Sequence, residues 1–364
     1  MTTQTRASAA ERLGLFKGEL LSHSEPQEVI GVLCKSMKKS IPKHNSLTVK
    51  YRRWLPIGAT TASPNIWVVE PSSYVLTEGE TPPSGTVTPQ DITAVLQQYG
   101  VLKRYTDVVA DSYEDDIPAE MVKLCGEEVG LIREKIRWGV LKAGTNVYRG
   151  GGVAARTSII ARVSANLLRN VARGLSANLA IKITDILPPS TNVGTSSVEA
   201  AFVVVCHTDM EADLRSQLST FTHISDYGSR RAVHENELGS YDQFRFVSSP
   251  HLNPYLSAGG TTAAASTVLA AAGTGGVNGA GTEAADVYPM IVLSEEAYGD
   301  VTMRGMDSFS AYHRKPGGGE GSNSSTDDPL GQRGHVGAKF YMTAVRLNEL
   351  RMAVVEVACG ALIS

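Results

Sequence analysis
A chain of 364 residues is long enough for two or three packed units, and 42% hydrophobic against 20% charged residues supports a sizeable core and excludes global disorder. A formal net charge of −3 excludes a dedicated nucleic-acid binder, so any such contact has to come from a local basic segment. Cys34, Cys125, Cys206 and Cys359 have no CxxC or short ligand spacing. They could pair as two disulfides, but read better as reduced, small apolar residues. No segment reaches the length of an apolar membrane span and the N-terminus lacks the apolar run of a signal peptide, so the expectation is assembly in a cytoplasm.

Two short amphipathic helices are predicted near the start, on Leu13 to Leu21 and Val29 to Leu33, parted near Pro26. Between 29 and 69 the cations Lys35, Lys38, Lys39, Lys43, Lys50, Arg52 and Arg53 occur without a carboxylate. Such a basic arm suits phosphates or an acidic neighbour, and the lack of interleaved aromatics favours a protein. Residues 66–109 read as a long hairpin. Residues 66–69 and 74–76 run outward, turn residues fill 79–91, and the return alternates Ile92, Ala94 and Leu96 against Thr93, Val95 and Gln97. A two-stranded ribbon of that length buries little of itself, so it needs a neighbour. That favours an oligomer.

Residues 115–144 predict the clearest helix, with Ile117, Met121, Leu124, Val129, Ile132, Ile136 and Val140 near one face. Asp115 and Asp116 suit its N-terminus, Pro118 its first turn and Gly144 its end. At ~1.5 Å per residue it spans roughly 40 Å, the length of a structural spine. Its approach carries Asp107, Asp111, Glu114, Asp115, Asp116 and Glu120, an acidic stretch able to receive a neighbour's basic arm. A second helix is predicted over 157–179, capped by Thr157, with Ile159, Ile160, Val163, Leu167, Val171 and Leu175 as its stripe. AAFVVVC at 200–206 reads as a buried strand, followed by a helix from Thr208 or Asp209, and YDQFRFV at 241–247 alternates as a strand. The Ala-, Gly- and Thr-rich 257–285 reads as a flexible loop, 287–293 as a strand, and 316–327 as a second loop. Near the end Val336, Ala338, Phe340, Met342 and Ala344 share one parity, and 352–357 reads as a core strand. Helices and strands mix without βαβ alternation, which predicts an α+β fold.

Chemistry is sparse. RGGGVAAR at 149–156 and the glycines at 317–319 lack GK[ST] and follow no clear strand, so they read as connections. His207, Asp209 and Glu211 are the one conceivable metal cluster, with no partner cluster elsewhere. There is no HExxH and no GxSxG, and the adjacent pairs Glu127/Glu128 and Glu295/Glu296 point in different directions. Trp54, Trp67 and Trp138 are too scattered for a carbohydrate platform. No catalytic, metal or cofactor site is expected.

An ordered series of segments resembles the major capsid proteins of tailed phages, in the branch found in N-four-like phages. DPLGQRGHVGAKF at 328–340 carries most of it. IPKHNSLTVKYRRWLPI at 41–57, LQQYGVLKRYTDV at 96–108, GEEVGLIREKIRWGVLKAGTNVYRGG at 126–151, CHTDMEADLRS at 206–216, NELGSYDQFRFVSSP at 236–250 and DVYPMIVLSEEAYGDV at 286–301 fall in family order. The resemblance implies a Hong Kong 97-type fold: an N-terminal arm (1–60), an extended hairpin loop (61–110), a peripheral domain with the spine helix (111–155), an axial domain (156–310) and a return to the peripheral domain (311–364). It further implies a non-enzymatic shell subunit, arranged as hexamers and pentamers in an icosahedral head. The implied partners are a portal protein, a scaffolding protein, a decoration protein and packaged double-stranded DNA on the inner face, without a membrane. The implied location is the virion, after assembly in the bacterial host cytoplasm.

Within that reading Glu237, Gly239, Arg245 and Phe246 match the axial-domain motif, and Gln332, Arg333, Gly334 and Gly337 the C-terminal one. The glycines read as backbone geometry. The candidates for subunit contacts are Lys50, Arg52, Arg53, Trp67, Tyr99, Asp107, Asp115, Asp116, Arg245, Gln332 and Arg333; arginine's planar fork makes Arg52, Arg53 and Arg333 the strongest. Two alternatives remain: the shell protein of a cellular nanocompartment, and a soluble oligomeric α+β enzyme built on His207, Asp209 and Glu211.

Overall fold
The computed structural model describes residues 28–33, 38–42, 46–57, 59, 65, 69–79, 81, 85–112, 116–183, 200–227, 232, 234–261, 268–270, 284–303, 310–314, 316 and 331–361. The helix expected near residues 13–21, Cys34, Trp67, Asp115 and nearly all of the loop at 316–327 lie outside them. In chain order the described elements are α1 (Ile30–Leu33), β1 (Lys38–Ile41), β2 (Thr48–Trp54), β3 (Pro89–Val95), β4 (Gln97–Thr106), α2 (Asp107–Ser112), α3 (Ile117–Leu141), β5 (Val147–Arg149), α4 (Ala165–Ala177), β6 (Phe202–Cys206), α5 (Met210–Gln217), β7 (Thr222–His223), β8 (Glu237–Tyr241), β9 (Phe244–Ser248), β10 (Val287–Leu293), β11 (Tyr298–Met303), β12 (Ser310–Arg314), β13 (Arg333–Arg346) and β14 (Ala353–Ala358). The fold is α+β.

A seven-stranded sheet runs in the order β5-β14-β10-β6-β9-β8-β7. Its middle strands are buried from end to end, so they read as unbroken apolar runs. Alternate residues serve opposite faces. Val204 and Cys206 pack with Leu168, Val171 and Leu175 of α4, whereas Val203 and Val205 pack with Trp138 and Leu141 of α3. A five-stranded sheet is built on the fourteen-residue β13. This strand pairs with β4 over 333–342, with β12 over 335–339 and with β11 over 342–346. Gly334, Val336, Ala338, Phe340, Met342 and Ala344 are its buried parity, as the alternation predicts. A side chain on Gly334 would run into the Tyr105 ring of β4, which fixes that glycine as a close-approach position.

The long helix α3 joins the two sheets. Its N-terminal half packs Val122, Cys125 and Val129 on Val336, Phe340 and Met342; its C-terminal end packs Trp138 and Leu141 on the seven-stranded sheet. At ~1.5 Å per residue its 25 residues give about 37 Å. Asp116 caps it by accepting from the Ala119 backbone N–H at 3.3 Å.

Four expectations are corrected. The hairpin's outgoing strand is β2, and 74–76 form no strand: Thr48–Trp54 pairs antiparallel with Pro89–Val95, and Pro71–Tyr74 is a 3-10 turn, while 66–68 lie outside the described residues. Lys50 and Arg52 occupy the exposed parity of β2, so charge masked a strand whose other parity holds buried Tyr51. The face of the spine also differs. Leu124 is 53% exposed, whereas Gly126, Gly130, Glu134 and Arg137 are buried. The second helix begins at Ala165, capped by Ser164, and not at Thr157; the β-branched stretch before it is extended, with Ile159 and Val163 buried. Finally, YDQFRFV is a tight hairpin rather than one strand: Asp242 takes φ 50°, and Tyr241 pairs with Phe244. In the low-complexity segment the described residues form isolated bridges, Thr261 to Ala284, Val268 to Gly360 and Ala270 to Ala285, so its two ends are pinned to the sheet.

Candidate functional site
The β2–β3 ribbon leaves the body of the subunit from a small apolar base. Tyr51, Ala94 and Leu96 pack there on Ile41, Val301 and Leu347. Beyond the base the described residues leave much of it uncovered. More than half of the exposed large apolar side chains among the described residues fall between 47 and 95. Trp54 is 60% exposed, Leu76 71% and Val75 76%. Scattered exposed apolar residues are ordinary, but a concentration on one projecting element marks a contact surface. The same ribbon carries the cations. Arg52 forms a two-pronged pair with Asp91 across the strands at 2.7 and 2.8 Å, and Arg53 donates to Gln90 at 2.9 Å.

At the other end of the architecture, the segment 28–33 is fixed to the spine by buried charge. Arg137 donates to Glu28 at 2.6 Å and to Asp300 at 2.8 and 3.1 Å, and Arg133 pairs with Glu28 at 2.8 Å. Burial opposes the charge on Arg137, but Asp300 and Glu28 outweigh it and hold the guanidinium above its ordinary pKa. Glu134 lies in the same knot and accepts from the backbone N–H groups of Ile30 at 2.9 Å and Val29 at 3.3 Å. Burial raises its carboxyl to about 7 despite those donors and Arg137. A side chain on Gly31 would strike the Arg137 guanidinium, so the segment approaches as bare backbone. Sequence reading missed this knot. Its one local signal is Glu134 and Arg137 at i, i+3, whereas Glu28 and Asp300 come from opposite ends of the chain.

The sequence-derived candidates fall into three groups. Lys50, Arg52, Asp116, Gln332 and Arg333 are exposed; Arg53, Tyr99 and Asp107 are partly buried. Tyr99 stacks on Phe340 at 5.6 Å, and the Asp107 backbone N–H donates to the Gln332 carbonyl at 3.0 Å, so α2 is tied to the start of β13. Arg245 is corrected. It is 4% exposed, paired with buried Glu237 at 3.7 Å and stacked near Tyr227 at 5.6 Å, so it serves its own subunit. Trp67 and Asp115 lie outside the described residues.

The His207 cluster does not converge on an open site. Its Nδ1 accepts from the Asp209 backbone N–H at 3.2 Å, Tyr288 donates to Asp209 at 2.9 Å, and Glu211 is paired with Arg215 at 2.5 Å. Among the described residues no group of three His, Cys, Asp or Glu is placed to hold a metal ion, and no helix is long and apolar enough to cross a membrane. Cys125 and Cys206 are buried free thiols, pushed up by burial to about 11 and about 12.

An arm segment on a long spine, a sheet with one fourteen-residue strand, a projecting ribbon and a separate seven-stranded sheet together make the Hong Kong 97-type fold of tailed-phage capsid proteins. Solved structures share it along nearly the whole chain. The capsid of Ralstonia phage GP4 matches at TM-score 0.62 and 7% identity, over 90% of this chain and 88% of that one. The cyanophage Pam1 capsid matches at 0.55 and 12% identity, over 88% and 87%. The cyanophage P-SCSP1u capsid matches at 0.54 and 12% identity, over 92% and 89%. No family model and no curated protein matches the sequence. At these identities the likeness is one of fold.

Proposed function
We propose that this chain is the major capsid protein of a tailed double-stranded DNA phage, and that its copies close into an icosahedral head as hexamers and pentamers. The observation that carries this is the ribbon: on a fold shared with three phage capsids, the two-stranded arm β2–β3 leaves large apolar side chains such as Trp54 and Val95 uncovered by the described residues. A marginal ribbon is stabilised by lying across a neighbour, and a heterologous contact of that kind closes into rings. The subunit then works as a non-enzymatic shell component of the virion, assembled in the host cytoplasm on a scaffolding protein and around a portal. A decoration protein on the outside and DNA held without sequence specificity on the inside complete the set of partners. The ordered sequence motifs support the N-four-like branch.

The test is negative-stain electron microscopy of the purified protein with size-exclusion chromatography. Closed shells, or flat hexameric and pentameric plates, are expected. A small oligomer that never assembles, even with phage extract, refutes the proposal, and shells loaded with a protein cargo would move it to a cellular nanocompartment.

A further inference from the structure
At the base of the ribbon a cavity of about 360 Å³ opens between β2 and the turn that precedes β14. Three arginines line it, Arg52 and Arg53 from the ribbon and Arg351 from the turn, and Arg52 is already paired with Asp91 across the strands. Among the described residues Arg53 bonds only to neutral groups, Gln90 at 2.9 Å and the Asn65 side-chain oxygen at 3.3 Å. Asn65 and Asn348 hold each other by reciprocal amide bonds at 2.9 and 3.2 Å, which fixes the wall on which Arg53 rests. Arg351 meets one carboxylate, Glu296 at 3.1 Å, through a terminal nitrogen, and its buried Nε has no hydrogen-bond partner. With Arg52 matched by Asp91, the two remaining cations, Arg53 and Arg351, face one carboxylate among the described residues. Burial and the Arg351 charge both push the Arg53 guanidinium below its ordinary pKa, the mark of a cation short of a counter-charge.

We infer that this cavity receives an acidic side chain from a second copy of the chain, whose carboxylate pairs with Arg53 beside Arg351. The inference rests on the shell reading and names one contact within it. A carboxylate fits the planar fork of Arg53, and it supplies the counter-charge that the two facing cations lack. Trp54 flanks the site and is 60% exposed, so the occupant has to cover apolar surface as well, which a protein segment does and a free anion does not. The chain supplies such a segment at the head of the spine, where Asp111, Asp116 and Glu120 are exposed. None of these three carboxylates lines the cavity of its own subunit. Donor and acceptor surfaces thus sit on different parts of one subunit, the arrangement of a head-to-tail ring.

The test uses charge reversal in the full-length protein. Arg53→Glu, and separately Asp111→Lys with Glu120→Lys, are each expected to cut shell yield on the order of tenfold, with the combined triple variant recovering most of it. Thermal unfolding of the unassembled subunits establishes that each variant is folded, and Arg53→Gln, which keeps the polar bond to Asn65, supplies a milder loss with the same sign. Variants that fold and assemble as the wild type does overturn the inference. So does a folded triple variant that recovers nothing. A wild type that forms no shells at all sinks the shell reading first, and this contact with it.

Discussion

Replacing Glu134 with glutamine isolates a buried carboxyl whose ionisation the fold resists. In the folded chain it titrates near 7, against an ordinary value of 4.5, because burial penalises its charged form more than the Ile30 and Val29 backbone donors and Arg137 reward it. The sign follows from proton binding. Below about 4.5 the carboxyl is neutral in both folded and unfolded chains, and its contribution is fully present. As pH rises the unfolded chain releases the proton first, so stability is lost until the folded carboxyl ionises near 7. The interval between 4.5 and about 7 corresponds to about 3 kcal/mol, at ~1.4 kcal/mol per decade. Glutamine mimics the neutral form and keeps an acceptor for Ile30 and Val29. Urea unfolding of unassembled subunits is therefore expected to give nearly equal stabilities at pH 5, and a variant more stable by about 3 kcal/mol at pH 8. A wild type at least as stable as Glu134→Gln at pH 8 would show that ionising the buried carboxyl costs the fold nothing, and would refute the reasoning.

Arg137→Met leaves Asp300 buried without its cation and Glu28 with Arg133 alone, so a loss of about 3–5 kcal/mol in urea unfolding at pH 7 is expected. Phe340→Ala, at 1% exposure beneath α3, is expected to cost about 3–5 kcal/mol by the same measurement. Deleting residues 79–89, which takes only Pro89 from the β2–β3 pairing, should leave a folded subunit by circular dichroism that forms no particles; normal particles would count against the ribbon's role. Cys125, Cys206 and Cys359 are buried with raised thiol pKa values, so a thiol reagent should titrate at most one of the four cysteines before urea and all four after it.

What was legible in the sequence is what period and continuity encode. The alternation of Val336 to Ala344 and the unbroken Phe202–Cys206 run translate directly into a half-buried and a doubly covered strand. The helix α3 was legible in length and capping, but its buried face was not. Apolar counting selected Leu124 and missed Gly130, Glu134 and Arg137, because two glycines and a neutralised charge pack where Leu was expected. Strand β2 was hidden for a related reason. Its outward cations look like a solvated arm until its pairing with β3 is known. Partners distant in the chain decide both cases, and no local window contains them.

The distribution of burial separates folding from assembly within one chain. The two sheets and α3 are sealed by residues at or near 0% exposure, whereas the ribbon keeps Trp54, Val75 and Leu76 outside. The arginine cavity lies on the boundary, with Arg53 on the ribbon and Arg351 on the turn into β14. A ligand that bridges those two residues would fix the ribbon's angle to the body, adding a charged tie to the neutral ones that the described residues give β2: its base around Tyr51, β3, and the Arg53 bond to Asn65. A contact from a neighbour at that point therefore sets the direction in which the ribbon projects to the next subunit. It follows that charge changes in the cavity should alter the curvature of assemblies as well as their yield. Sheets or tubes from Arg351→Gln, in place of closed shells, are the expected form of that change under the electron microscope; unaltered shells would place the hinge elsewhere.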